Sequence, residues 1–231
     1  MYVHEKPTTD LPLVDNSGYS LRKGKLDLII LRYMAIKLYI MLHSPGVAEE
    51  QGLPWLYTLE ERHARSHRIV IYGPQELLSS NELYFVGFVS CKRTPVDAHA
   101  LHEMQRIDTK LLGEIAQVTD ILSYSSLKLH ADNWFNLVLL RSSYTRAQLK
   151  ELATHRYASY ALAPLYYEWI RLHNGILRAS GAQPELRLQT TKYYTFPEGQ
   201  APTMRLFEHK MLAPASEFSF VEQERGKGSN E

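Results

Sequence analysis

Apolar residues return at two different spacings along this chain, and the spacings predict where strands and helices fall. From Glu82 to Lys92 the run ELYFVGFVSCK is a continuous series of strand formers ended by Thr94-Pro95, which predicts a central strand. From Asp97 to about Gln117, the residues Leu101, Met104, Ile107, Leu111, Leu112 and Ile115 recur every three or four positions, the period of a helix with one apolar stripe. Two further strands, Asp120 to His130 and Trp134 to Arg141, are joined by Ala131-Asp132-Asn133, a link short enough for a hairpin. Alternation puts Tyr124, Lys128 and His130 on one side of the first strand, and Phe135, Leu137, Leu139 and Arg141 on one side of the second. A second helical stretch starts at Tyr144-Thr145 and passes through Leu149 and Leu152 to Pro164, which removes a helical hydrogen bond and bends or splits the helix. Its continuation, PLYYEWIRLHNG, places Leu165, Trp169, Leu172 and Ile176 on one helical face and ends at Asn174-Gly175, a favourable C-cap pair. Leu186 to Phe196, closed by Pro197, predicts the last strand.

The first third is patterned differently. Residues 1 to about 20 are polar and broken by Pro7, Pro12 and Gly18, an irregular arm. Leu26 to Leu42, LDLIILRYMAIKLYIML, is long and apolar and stops at Ser44-Pro45-Gly46, so it predicts a helix. Asp27, Arg32 and Lys37 point in three directions around that helix, and the run is shorter than the ~20 residues a membrane span needs. The reading is a helix packed on protein, with an interfacial membrane helix as the competing one. The segment EERHARSHR reads as a short surface helix, and Arg62, His63, Arg65, His67 and Arg68 form a cationic cluster that is either a solvated face or an anion site. Ile69 to Tyr72, closed by Gly73-Pro74, predicts a short strand.

Strand, helix, strand, strand, helix, strand over residues 83 to 196 predicts an α+β fold: a ferredoxin-like β-α-β-β-α-β antiparallel sheet with helices on one side, carrying an N-terminal helical elaboration. Three regions follow. Residues 1–75 supply the arm, the apolar helix and the short basic helix; 76–200 form the ferredoxin-like domain; 201–231 form a surface tail. By this element order the chain resembles the dimeric α/β-barrel superfamily, in which two such sheets pack together. The resemblance implies a homodimer and a pocket for a small molecule. It also implies a range of chemistries: cofactor-free monooxygenases, haem enzymes of the chlorite dismutase-like and aldoxime dehydratase-like kinds, decarboxylases and small-ligand binders.

Composition narrows the classes. With 26 Lys+Arg against 25 Asp+Glu, the net charge of +1 gives no broad field to gather nucleic acid by counterion release. One cysteine, Cys91, forms no internal disulfide and no cysteine-based zinc site, which fits a cytoplasmic address. The opening residues carry acids and prolines where a signal peptide has a basic start and an apolar core, an argument against secretion. No GxGxxG, Walker loop, HExxH, GxSxG or zinc-finger spacing is present, so nucleotide, metalloprotease and α/β-hydrolase readings receive no support.

Candidate chemistry concentrates late in the chain. His155-Arg156-Tyr157, Tyr160, Tyr166-Tyr167 and His173-Asn174 could line a pocket with convergent donors and a flat aromatic wall. The competing reading has the aromatics filling a helix–sheet interface while His173 and Asn174 cap a helix. In the enzymatic reading His155, His173 and Arg156 are the catalytic candidates, because imidazole titrates near neutral pH and a guanidinium orients a carbonyl or an anion. Tyr124, Trp134, Arg141, Tyr166 and Asn174 are candidates for holding the substrate by stacking, hydrogen bonding or charge. A haem would need an axial imidazole from His130, His155 or His173, with His130 the cofactor-binding candidate; no cofactor at all is an equal alternative. His99 and His102 lie one helical turn apart, but two imidazoles make an incomplete metal site. The expectation is an enzyme of oxygenase, dehydratase or lyase type acting on a small apolar or aromatic molecule, the alternative a non-catalytic ligand- or partner-binding protein.

Overall fold

The computed structural model describes residues 3–5, 21–44, 52–129, 133–180 and 183–209. It is an α+β structure built on a single nine-stranded sheet. The strands are β1 (Val3–Glu5), β2 (Trp55–Glu61), β3 (Arg65–Ile71), β4 (Glu82–Lys92), β5 (Ile121–Lys128), β6 (Asn133–Leu140), β7 (Tyr167–Ser180), β8 (Gln183–Thr195) and β9 (Thr203–Glu208). Their order across the sheet is β1-β9-β8-β7-β4-β6-β5-β3-β2. The eight strands from β9 to β2 are all antiparallel to their neighbours, and β1 joins β9 in parallel. The helices are α1 (Leu21–Leu42), α2 (Pro74–Ser79), α3 (Ala98–Ile115), α4 (Thr145–Glu151), α5 (Ala153–Tyr157) and α6 (Ala163–Tyr166), with a π-helical turn (Ala158–Leu162) between the last two.

Helices cover both faces of the sheet, not one. On the first face, α1 lays Leu31, Met34 and Leu38 onto Phe85, Val89, Leu137 and Leu177, within a continuous core of nineteen buried apolar residues. Gly87 permits this approach, because a Cβ there would stand 2.5 Å from Leu31 Cδ1. The cover that an antiparallel sheet needs on its second side therefore comes from the same chain. On the other face lie α3 to α6, and packing there is discontinuous: a cluster of five buried residues around Val70, Ile115 and Tyr124, and a separate one of three, Ala163, Ile170 and Phe196. Asp97 starts α3 as its N-cap, accepting from the Ala100 amide at 2.8 Å.

Three sequence expectations are corrected. EERHARSHR is no helix but the β2–β3 hairpin, whose turn holds His63 and Ala64 at φ +64° and +52°. The polar run hid the hairpin, since burial of Ile69, Val70 and Ile71 needs the ladder to β5. PLYYEWIRLHNG becomes strand from Tyr167 onward, because β4 offers an edge that pairs with β7 along the whole length of β4; Asn174-Gly175 lies within the strand, opposite a bulge at Gln189 of β8, and caps no helix. Residues 203–208 of the expected tail form β9 on β8, while 210–231 lie outside the described residues. The first 75 residues also contribute β2 and β3 to the same sheet, beyond β5.

Candidate functional site

Where the core on the second face is interrupted, a cavity of about 1170 Å³ separates the sheet from α3 to α6 and is partly open to solvent. Its floor is apolar and aromatic: Val86 and Phe88 from β4, Ile170 and Leu172 from β7, Tyr194 from β8. These residues share a face because side chains alternate along each strand, and their odd-numbered neighbours in β4, Phe85 and Val89, belong to the core under α1. Met104, Ile107 and Leu111 of α3 form one side of the roof, and Ala158, Ser159 and Tyr160 of the π-helical turn form another. A π-turn widens the helix by one residue per turn and is common where a helix borders a functional site.

Polar groups converge on this apolar chamber from several elements. Arg68 of β3 grips Asp108 of α3 with two hydrogen bonds, Nη1 to Oδ2 at 2.8 Å and Nη2 to Oδ1 at 3.0 Å. Its guanidinium lies 5.8 Å from the ring centre of Tyr124. Donation to Asp108 holds the Arg68 pKa above its ordinary value despite burial. Burial, reinforced by the Asp108 charge, pushes the Tyr124 hydroxyl above the usual tyrosine range, so it stays protonated at neutral pH and available as a donor. Tyr167 is pushed up by burial in the same way. Burial and then the Lys150 charge press His155 below its ordinary value, which leaves a neutral imidazole near pH 7. Its Nδ1 lies 3.4 Å from Ser159 Oγ, one turn along. Two buried atoms of cavity-lining residues, Arg68 Nε and Asn136 Oδ1, make no hydrogen bond among the described residues.

The sequence-derived candidates divide cleanly. His155, Tyr124, Trp134 and Tyr166 come together on the cavity wall. His173 does not: it is fully buried on the opposite face under α1, with Nε2 donating to Asp27 Oδ2 at 2.9 Å and Nδ1 against Thr191 Oγ1 at 2.9 Å. Arg171 also forks onto Asp27 at 2.7 and 2.9 Å, and Thr191 Oγ1 meets His209 Nε2 at 2.8 Å, so this network ties α1 to β7 and β8. Arg156 is exposed on α5 and does not line the cavity. Arg141, half-exposed, pairs with Glu76 at 2.8 Å, and Asn174 donates to Thr190 Oγ1 at 3.2 Å; neither lines the cavity. His130 lies outside the described residues. His99 and His102 are exposed, and no group of three or more metal-capable side chains occurs among the described residues.

Of the imidazoles considered for haem, His173 is committed to Asp27 and Thr191 away from the cavity, and of the two among the described residues it is His155 that lines the wall. Three cavity groups escaped the sequence reading: Asp108, Lys150 and Lys192. Lys192 was discoverable, since in the strand around Tyr194 it shares the alternation of that aromatic residue. Asp108 was not, because its partner Arg68 is forty residues away. Among the described residues no helix is long and apolar enough to cross a membrane. Comparison with protein-family models, with curated proteins and with solved structures finds no match for this chain.

Proposed function

We propose that this chain binds a small, mainly apolar or aromatic molecule in the cavity beneath α3 to α6 and acts on it there by proton transfer, as an enzyme of dehydratase, lyase or cofactor-free oxygenase type. The observation that carries the reading is the contrast between the two sheet faces: one is filled solid, the other is hollow and ringed by Tyr124, Arg68 and His155. His155, kept neutral by burial, would accept a proton from the bound molecule. Tyr124, kept protonated, would donate a hydrogen bond to an oxygen on it, and the Arg68–Asp108 pair would hold the Tyr124 ring in place.

Haem is an alternative loading of the same space: His155 would hold the iron, and the group would supply electron-transfer chemistry there. The strand order β7-β4-β6-β5, threaded as β4-α3-β5-β6-(α4 to α6)-β7, supports a ferredoxin-like unit embedded in the larger sheet.

The test is a thermal-shift screen with aromatic acids and aldehydes, followed by product analysis of every compound that stabilises the protein. Phe88→Trp, which fills the floor, is expected to weaken binding at least about tenfold with the fold intact. His155→Gln is expected to abolish product while leaving binding within about threefold. Binding without product in the unaltered protein would select the non-catalytic reading, and binding indifferent to Phe88→Trp would place the ligand elsewhere.

A further inference from the structure

The charges around the cavity are far from balanced, although the chain as a whole carries only +1. Five cationic side chains line it, Arg65, Arg68, Lys128, Lys150 and Lys192, against one carboxylate, Asp108. That carboxylate is already engaged by Arg68 in a two-point ion pair. Arg65 and Lys128 lie on the β3 and β5 side, and Lys150 and Lys192 are the cations on the α4 and β8 side. Lys192 projects from β8 between Leu172 of β7 and Leu206 of β9, its Cα partners on either side, and two residues before the aromatic Tyr194. Lys150 of α4 and Arg146 stand close enough above it to disfavour its charge, and Lys150 also bears on His155. Burial is the first cause that draws Lys192 below the usual lysine value, and those two charges add to it. Among the described residues no acid is paired with Lys192, and Arg146 Nε is turned to the Ser143 carbonyl at 3.1 Å.

An ammonium group placed on an apolar floor beside other cations destabilises the folded state on its own. Such an arrangement is relieved when a negative group enters, and in a half-closed, largely apolar space that relief is larger than in water. Resting on the ligand-binding reading above, we propose that the molecule taken by this cavity is an organic anion. Its apolar or aromatic body lies on Phe88, Ile170, Leu172 and Tyr194, and its acidic head, a carboxylate or a phosphate monoester, sits between Lys192 and Lys150. The His155 imidazole, which Lys150 also influences, then lies at the head end of the ligand rather than at its apolar tail.

The experiment compares three probes of one shape by isothermal titration: 2-naphthoate, 2-naphthyl phosphate and the neutral 2-naphthalenemethanol. At least one acid is expected to bind about tenfold or more tightly than the alcohol. The preferred acid identifies whether the head is a carboxylate or a phosphate. In Lys192→Met and in Lys150→Met this preference is expected to shrink to within about threefold. Lys192→Met is also expected to raise the melting temperature of the ligand-free protein, an effect opposite to that of removing a merely structural lysine. Equal binding of acids and alcohol, or a preference untouched by both substitutions, would overturn the anion assignment alone. Failure of all three probes to bind would overturn the ligand-binding reading on which it stands.

Discussion

Asp27 shows how a single buried charge can position a helix. It sits 3% exposed on the inner side of α1, in a stretch otherwise apolar enough to resemble a membrane segment. A carboxylate removed from water needs strong partners, and Asp27 has two: the forked guanidinium of Arg171 and the Nε2 of His173. Arg171 is held in turn over the Trp169 ring at 4.0 Å. Sequence separations of 144 and 146 residues mean that these bonds form only when α1 docks on β7, so they fix its rotation as well as its place. Asp27→Asn would leave the Arg171 charge buried without its counter-ion, and a loss of about 3 to 5 kcal/mol is expected in urea unfolding. Asp27→Leu combined with Arg171→Met should recover part of that loss, because it removes the buried ion pair as a whole but leaves the His173 Nε2 without its acceptor. A single substitution as mild as a surface change would show that the pair does not anchor the helix.

At the scale of the element, β7 is the most informative case. Its apolar residues Trp169, Leu172 and Ile176 keep helical spacing, yet the same residues satisfy a strand once Arg171 and His173 are assigned inward to Asp27. Two things decide for the strand. Arg93 binds the carbonyls of Pro164, Tyr167 and Phe196 and so ends α6 at the junction, and β4 and β8 stand ready on both edges to take up the backbone groups. The register shift beside Asn174-Gly175 comes from Gln189, an extra residue in β8, so β7 keeps a single alternation along β4. Gly175 has no room for a side chain: an added Cβ would lie 2.1 Å from the Arg187 carbonyl and 2.6 Å from the Phe85 ring. Gly175→Ala is therefore expected to cost at least about 1 to 3 kcal/mol, read as a lowered melting temperature, although alanine normally favours regular structure over glycine. What could be read from the chain follows the same logic. α1, α3 and β4 to β6 carry their burial in local periodicity, and Tyr124, Trp134, Tyr166 and His155 could be nominated because aromatic and imidazole groups near an apolar stripe face the same space. The β2–β3 hairpin lacked the Asn-Gly or Asp-Gly pair that its left-handed turn favours, since His63 and Ala64 occupy it. His173 was misplaced because its role depends on Asp27, which no local pattern connects to it.

For the molecule as a whole, the sheet separates a structural face from a chemical one, and acid should act on both at once. Burial is the first cause that lowers the pKa of His67 under α1, of His155 on the cavity wall and of His209 beside Thr191. The unfolded chain takes up a proton on each near the ordinary value of about 6.5, while the folded chain does so only at lower pH. Between those values the unfolded state binds more protons, so stability rises with pH across that window. The contribution is complete above about pH 6.5 and is lost as pH falls through the depressed folded values. Glu61 behaves in the same sense in a lower window: burial raises its pKa, but hydrogen bonds from Tyr33 and His67 and the nearby charge of Lys37 outweigh this and lower it. Its contribution therefore persists until pH falls below the ordinary carboxylate range. Melting temperatures are accordingly expected to be flat from pH 8 to about 7, to fall as pH drops below about 6.5, and to fall again below about 4.5. Replacing His155 or His209 by Gln should flatten the first fall in part and leave the second in place, while His67→Gln should also weaken the second, because His67 is one of the groups that lower Glu61. A wild-type curve without a first fall would mean that folding does not depress these imidazoles.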